Sequence, residues 1–334
     1  MLARRASTSA LAIAIASAAA CSPTPSVVPP ATAPTADPGP TTGAGRPADD
    51  THVLVLLGTP AEMRLGWLDG SGHPQGSLAV PTGTRWAAGR PSHGLVASGE
   101  ANGRLFASDS VAVGGAPEWT EIALDPAARA WLGRSPAVAV PDADGPLIAV
   151  VAADPGAGAL ETHVVIIDRT GGPATIVAVP GTWDGRAPAW IAPGRIAVST
   201  RDATDRPGLV VVDLATGRSE REIEAIGAYA ISDDGSTIVF QLRDGGGIAI
   251  GPLARALSGP ADELDTLPVL DRRRVAAQVL LDAAGRRLAV AWLDEAGDTA
   301  GLAIYDLEAG RWRLVLDGPL PAGVTRAVLV SLDP

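Results

Sequence analysis

Arginines recur in this 334-residue chain at intervals close to one structural repeat, and they are the residues best placed to act together chemically. The set comprises Arg85, Arg134, Arg186, Arg274 and Arg326, with Tyr229 in the one long interval. A guanidinium donates two parallel hydrogen bonds to a carboxylate or phosphate. If these side chains converge, they predict a binding site for an anionic group, such as an acidic peptide segment of an envelope protein. The alternative is that each arginine pairs locally with an acid such as Asp184 or Asp271, which leaves little net field.

Patterns typical of catalysis or metal binding are absent from the sequence. The four histidines, His52, His73, His93 and His163, occur in no H-x-H or H-E-x-x-H arrangement. The stretch 133–137 comes nearest to a G-x-S-x-G elbow, but it indicates a turn before a strand. Two tryptophans, Trp86 and Trp190, could form a sugar-stacking platform, and the alternative for them is packing between sheets. The sequence therefore predicts no catalytic residue, no metal and no cofactor.

The N-terminal residues indicate export. Arg4 and Arg5 precede a short apolar run at 11–20, which has the charge and length of a signal peptide and is too short to span a bilayer. Cys21 follows at once and is the only cysteine. The run AAAC resembles the lipobox of bacterial lipoproteins, which implies removal of residues 1–20 and acylation of Cys21. The alternative is ordinary cleavage at the same bond, which leaves a free thiol.

The next segment, 21–50, is expected to be a disordered tether. Residues 22–50 contain eight prolines and no Leu, Ile or aromatic residue, so they cannot bury enough apolar surface to fold. The folded domain is then 51–334. It is expected to lie on the outer face of the cytoplasmic membrane or in the periplasm, held by a lipid on Cys21.

Composition narrows the class of partner. The net charge is −11, the sequence contains no lysine, and arginine supplies every basic residue apart from histidine, so the electrostatics argue against nucleic acid as a ligand. The 39 glycines and 29 prolines indicate many turns and few helices. We expect a monomer held at the membrane by its lipid.

The chain from residue 51 repeats a unit of short strands with a period of 40–50 residues, which is typical of a β-propeller. Turn glycines Gly145, Gly194, Gly235 and Gly285 mark the unit, and Asp168, Asp213 and Asp306 close its third strand as turn caps. Blades are expected at 84–129, 130–184, 185–227, 228–274 and 275–318. The sixth combines 51–83 with 325–334, so the C-terminal strand closes the ring. Helical turns are expected only at 126–132 and 252–257.

The amino-acid sequences of these repeats resemble those of a known family. The units AISDDGSTIVF, LLDAAGRRLAVAWL and LAIYDLEAG are similar to the S-P-D-G-[KR] and Y-x-x-D-x-x-[ST]-G repeat of the TolB-like, WD-related six-bladed β-propellers. The resemblance implies an all-β, six-bladed propeller that acts as a protein- or peptide-binding scaffold outside the cytoplasm. The alternative is a propeller enzyme or carbohydrate-binding protein, glycosidase- or lactonase-like, which would require converging acids or a metal in the channel.

Overall fold

The structure is a computed structural model that divides into two units, Met1–Pro47 and Ala48–Pro334. The residues that it describes all belong to the second unit. They are 51–59, 62–69, 72–90, 93–99, 103–109, 111, 115–133, 137–143, 145–154, 161–224, 226–242, 247–259, 264–268, 275–293, 299–317, 320, 324 and 326–333. The predicted signal peptide, Cys21 and the tether lie outside these residues.

The described strands form six antiparallel sheets, which are the six blades of a propeller. Blade 1 contains β1 (His52–Gly58), β2 (Met63–Asp69), β3 (Pro74–Ala79) and β25 (Arg326–Asp333). Blade 2 contains β4 (Thr84–Arg90), β5 (Gly94–Gly99), β6 (Phe106–Ser108) and β7 (Trp119–Glu121). Blade 3 contains β8 (Ala137–Pro141), β9 (Leu147–Asp154), β10 (Glu161–Asp168) and β11 (Thr175–Val179).

The remaining strands build the other half of the ring. Blade 4 contains β12 (Thr182–Trp183), β13 (Ala189–Ala192), β14 (Arg195–Arg201), β15 (Pro207–Asp213) and β16 (Arg218–Glu224). Blade 5 contains β17 (Ile226–Ile231), β18 (Thr237–Leu242), β19 (Ile248–Pro252) and β20 (Asp265–Leu267). Blade 6 contains β21 (Val275–Leu281), β22 (Arg287–Leu293), β23 (Thr299–Asp306) and β24 (Arg311–Asp317). The described residues also form two short helices, α1 (Pro126–Leu132) and α2 (Leu253–Ser258), close to the two predicted positions.

Apolar side chains from neighbouring blades pack together, so the core is a series of layers between sheets. One cluster joins Val151 and Val164 of blade 3 to Ile196 and Val210 of blade 4, and each of the other five interfaces has its own cluster. Strands covered on both faces carry nearly continuous apolar runs, as in LIAVVAAD of β9. The β-branched residues of these runs favour an extended backbone and fill the space between pleated sheets.

Each blade interface also carries a hydrogen bond from one side chain to the main chain of the neighbouring blade. Four are made by indole or phenol groups, of which three join Trp119 to Ala79, Trp190 to Val140, and Tyr229 to Ala187. A fourth joins Trp312 to Pro268. The remaining two interfaces use Ser98, which bonds to Ala137 and Ala139, and Gln278, which bonds to Leu329. The tryptophans of this set therefore serve inter-blade packing.

The ring closes through the two ends of the folded region, as the sequence predicted. The strand β25 pairs antiparallel with β1, with Val53 opposite Leu332 and Leu57 opposite Ala327. It is the innermost strand of blade 1, followed outward by β1, β2 and β3. Pairing of the last strand with the first removes two sheet edges that an open ring would expose.

Blade 4 departs from the predicted boundaries. Thr182 and Trp183, which the sequence analysis assigned to the third blade, pair with Thr200 and Arg201 of β14. The strand β13 pairs further along β14, with Ala189 opposite Ala197. The five residues 184–188 therefore lie opposite only two residues of β14. Gly185 has φ +87° and Pro188 cannot donate to the ladder, so the innermost strand of this blade is broken by a short loop.

The turn aspartates act as predicted. The Oδ1 atoms of Asp168, Asp213 and Asp306 accept backbone N–H bonds from Thr170, Thr216 and Ala309 at 2.8–2.9 Å. These bonds satisfy amides where the third strand of each blade turns outward.

Candidate functional site: the central channel

The innermost strands of all six blades surround a central channel with a cavity of about 480 Å³. Its walls consist largely of small apolar side chains. Alanines supplied by the innermost strands are Ala88, Ala189, Ala228, Ala230, Ala277 and Ala327. Valines and leucines of β21 and β25 complete the apolar wall. A cavity of this size lies within the range of small-ligand sites, about 300–1,000 Å³.

The innermost strands all run in the same direction along the channel, because each blade repeats the same strand order. The two mouths of the channel therefore differ. We call them the strand-start mouth, where these strands begin, and the strand-end mouth, where they end. The predicted arginine site belongs to the strand-start mouth. Of its members, Arg186 and Tyr229 line the channel.

The remaining members of the predicted site are Arg85, Arg134, Arg274 and Arg326. Arg85 occupies a bulge of β4 between Thr84 and Trp86, and only Trp86 of these three lines the channel. Arg134 and Arg274 lie outside the described residues, as does the side chain of Arg326, whose backbone begins β25. Convergence of all five guanidiniums therefore stays a prediction.

Arg186 follows the local-pairing alternative. Its Nη1 forms a salt bridge with Asp184, whose side chain is completely buried and also accepts a hydrogen bond from the Ser199 hydroxyl at 2.6 Å. The Trp183 indole donates to the Arg186 carbonyl at 2.7 Å, so the loop 184–188 is held on both sides. Burial lowers the pKa of Arg186 below its ordinary value. Much of its charge is therefore balanced inside the wall, away from a ligand.

Tyr229 is a structural bridge between blades 5 and 4. Its hydroxyl donates to the Ala187 carbonyl at 2.7 Å and lies 3.1 Å from that of Ala197. Burial raises the pKa of the Tyr229 phenol far above its ordinary value of 10, so the group stays neutral at physiological pH. A neutral phenol engaged with two carbonyls is suited to holding the wall and poorly suited to proton transfer.

Trp86 and Trp190 form part of the wall and do not present an open stacking face. Both side chains are less than a tenth exposed, at 8% and 9%. The Trp190 indole donates to the Val140 carbonyl of the neighbouring blade at 3.2 Å. Their burial supports inter-blade packing over a sugar-stacking platform.

The strand-end mouth carries charged residues that the sequence analysis did not select. Arg90, the last residue of β4 in blade 2, forms a salt bridge through Nε with Asp233, which follows β17 in blade 5. His93 and Asp142 line the same mouth. Blades 2 and 5 are three apart in a ring of six, so the pair reaches between opposite sides. The available signal was that Asp233 and Arg90 replace small or apolar residues found at the same place in other repeats.

The acids among the described residues do not converge in the body of the channel. Among the described lining residues the carboxylates are Asp142 and Asp233, both at the strand-end mouth, and neither is buried. No group of three or more His, Cys, Asp or Glu in the described part of the chain is arranged to hold a metal ion. The histidines are dispersed: His163 stacks on Trp131 at 4.0 Å, and His52 meets the edge of Trp67. No helix in the ranges described is long and apolar enough to cross a membrane.

Comparison with known proteins identifies the fold and no more. No protein-family model and no curated protein matches the sequence. Among solved structures, an oligogalacturonate lyase in complex with manganese has a TM-score of 0.51 at 12% identity, covering 77% of this chain and 71% of its own. A Lactobacillus plantarum protein has a TM-score of 0.47 at 14% identity, and the match covers 84% of this chain and 100% of that protein. TolB from Acinetobacter baumannii has a TM-score of 0.42 at 15% identity. The match covers 84% of this chain and 56% of the TolB chain.

Proposed function

We propose that this protein is an extracytoplasmic propeller lipoprotein that is tethered through Cys21 and binds a peptide segment of an envelope protein in its central channel. The lipobox-like run before Cys21 and the proline-rich segment 22–50 support the tether. The six-bladed fold, shared with TolB among other propellers, supports a binding scaffold and does not by itself select a ligand.

The observation that carries the binding role is the composition of the channel wall. Alanine, valine and leucine of the innermost strands line a cavity of about 480 Å³, and the described acids lie at one mouth. Hydrolysis of a glycosidic bond uses two carboxylates on either side of it, and the described wall offers no such pair. A narrow apolar cavity with a charged mouth instead suits an apolar segment that carries one charged group.

Capture from envelope extracts with a channel-filling variant tests the proposal. Ala277→Trp places an indole in the channel, whereas Ala215→Trp adds the same group in the exposed turn between β15 and β16. The full chain in mild detergent is expected to retain an envelope protein that Ala277→Trp loses and Ala215→Trp keeps. Retention should weaken with salt, because surface charges are screened within about 10 Å at 0.1 M ionic strength.

Two results would contradict this function. Equal retention by the wild type and Ala277→Trp would show that the partner binds outside the channel. Turnover of aldonolactones or oligosaccharides by the wild type, lost in Ala277→Trp, would instead support the enzymatic alternative.

A further inference from the structure

The turn that carries Asp233 belongs to a repeated type, which shows what its residues do. Three turns follow innermost strands and share one backbone bond, from Asp142 N to Leu147 O, from Ser232 N to Thr237 O, and from Asp282 N to Arg287 O. In two of these turns, the side chain of the first residue also accepts a hydrogen bond from a backbone N–H. Ser232 Oγ accepts Thr237 N at 2.9 Å, and Asp282 Oδ1 accepts Arg287 N at 3.1 Å.

Asp233 is the exception within this repeat. The position after the first turn residue holds Ala143 in blade 3, Asp233 in blade 5 and Ala283 in blade 6. The hydrogen bonds that hold the blade 5 turn come from Ser232 and Asp234. An alanine is thus sufficient for this type of turn, and the carboxylate of Asp233 is an addition at the mouth of the channel.

Arg90 is exceptional in the same way. The innermost strands β8, β13, β17 and β21 end on the apolar residues Pro141, Ala192, Ile231 and Leu281, and β25 ends on Asp333, whereas β4 alone ends on a basic residue, Arg90. Its side chain is only 16% exposed, against 35% for Asp233. A guanidinium withdrawn from water at the end of an apolar cavity interacts with an anion more strongly than a fully exposed one.

The geometry leaves Arg90 able to accept a second partner. Asp233 pairs with Nε, so the terminal amino groups of the guanidinium provide further donors on the same planar fork. The Asp233 turn is itself seated firmly, because Gly235 has φ +67° and a Cβ there would overlap the Ile191 carbonyl of blade 4. Exchange of partners at Arg90 therefore requires movement of side chains and no rearrangement of the blades.

We propose that Arg90 is the anchor for a carboxylate of the apolar peptide that enters the channel, and that Asp233 occupies Arg90 until this carboxylate displaces it. This inference rests on the proposed function and names the chemistry of the ligand. The apolar wall receives the body of the peptide, and Arg90 binds its charged group through paired N–H donors. The carboxylate can belong to a chain terminus or to an acidic side chain.

Calorimetric titration of the full chain in mild detergent tests this exchange with three probes. They are acetyl-alanyl-alanyl-leucine with a free carboxylate, its C-terminal amide, and acetyl-alanyl-aspartyl-leucine amide. We expect at least one carboxylate peptide to bind more tightly than the neutral amide. Preference for the first identifies a chain terminus as the source, and preference for the third identifies an acidic side chain.

Variants at the two partners should change the affinity for the carboxylate peptide in opposite directions. Arg90→Gln removes the anchor and is expected to weaken binding by about tenfold to a hundredfold. Asp233→Ala installs the residue that two other turns carry and removes a competitor, so binding should tighten about twofold to fivefold. Glu121→Ala is the matched control, because it breaks an exposed pair with Arg104 on the outer side of blade 2.

A purely structural salt bridge would give a different result. Both variants would then lower the melting temperature and neither would change affinity in its own direction, which would overturn the inference. Equal binding of the acid and the amide by the wild type would also overturn it while leaving peptide binding intact. If no probe binds the wild type, the inference fails, and capture with Ala277→Trp still decides the proposed function separately.

Discussion

At the scale of single residues, the ring depends on a few polar side chains that take the place of a backbone partner. Gln278 lies on β21, directly after a β-bulge that shifts the pairing with β22 between Ala276 and Gln278. Its amide donates to the Leu329 carbonyl at 2.8 Å and accepts from the Leu329 N–H at 2.7 Å. One side chain thereby satisfies both main-chain groups of a residue in the closing strand.

Replacement of Gln278 by leucine is expected to lower the free energy of unfolding by about 1–3 kcal/mol, because the Leu329 N–H and carbonyl lose their partner within the protein. Urea denaturation of the purified chain measures this difference. Gln75→Leu is a suitable control, since the exposed Gln75 bonds to the partly exposed Asp69 carboxylate, and its replacement should change stability by less than about 0.5 kcal/mol. Equal losses in the two variants would contradict the role assigned to Gln278.

Turn aspartates make the stability of the propeller depend on pH. Hydrogen bonds from Thr170, Thr216 and Ser232 lower the pKa values of Asp168, Asp213 and Asp234 below the ordinary 3.8. Because the folded state holds these groups ionised, their stabilisation is complete above the unfolded pKa. It is lost as pH falls through the lower folded values.

We therefore expect the melting temperature to be nearly constant from pH 7 to pH 5 and to fall steadily below about pH 4. Asp213→Asn should reduce the steepness of this fall, since the amide accepts the same N–H bond without titrating. Calorimetry over a pH series provides the measurement. A melting temperature that stays level down to pH 3 would be inconsistent with depressed carboxyl pKa values in these turns.

At the scale of elements, the closing strand is the part of the fold that depends on the longest sequence separation. The strand β25 pairs with β1, and Val328 and Val330 pack with Leu54 and Trp67 in the cluster between blades 1 and 2. Loss of β25 exposes the inner edge of β1 and the apolar residues it covers. An exposed apolar edge of this kind promotes intermolecular pairing.

Deletion of residues 325–334 is expected to cause aggregation or a large fall in melting temperature. A circular permutant supplies the control: residues 324–334 placed directly before residue 51 can form a hairpin with β1, because Asp333 and His52 are already register partners. The permutant should be monomeric and melt close to the wild type by size-exclusion chromatography and calorimetry. A monomeric deletion variant with unchanged melting would refute the closure.

At the scale of the whole molecule, the proposed attachment to a membrane depends on residues outside the described structure. The predicted tether of 29 residues would reach roughly 90 Å if extended at about 3.1 Å per residue. Each buried acyl methylene contributes about 0.8 kcal/mol to membrane binding, so two or more chains on Cys21, as proposed, would anchor the protein firmly. The channel would then be free to meet partners at a distance from the lipid surface.

Cys21→Ser is expected to release the protein into the soluble fraction or to block processing of the signal peptide. Detergent phase separation followed by mass spectrometry of the N-terminal peptide distinguishes these results. Ser22→Ala changes the neighbouring residue and should leave partitioning unchanged. Wild-type protein found in the aqueous phase with an unmodified Cys21 would show that the lipoprotein assignment is wrong.

The amino-acid sequence by itself determined the class of fold, the number of blades and the closure by the last strand. Strand composition, turn glycines such as Gly235, and turn aspartates such as Asp213 act over a few residues, so a repeated local pattern is legible without coordinates. The same local logic located the helices α1 and α2. It missed the broken innermost strand of blade 4, because the break shows only in how Thr182 and Trp183 pair with β14 across the sheet.

Only the tertiary structure decided which charged residues share the channel. Arginine spacing along the chain indicated a set at the strand-start mouth, yet Arg186 is neutralised by its own neighbour and Arg85 does not line the cavity. Arg90 and Asp233 are 143 residues apart and meet because blades 2 and 5 face each other across the ring. Linear spacing specifies which blade a residue belongs to. Side-chain direction and the pairing of opposite blades depend on closure of the whole ring, which no local pattern records.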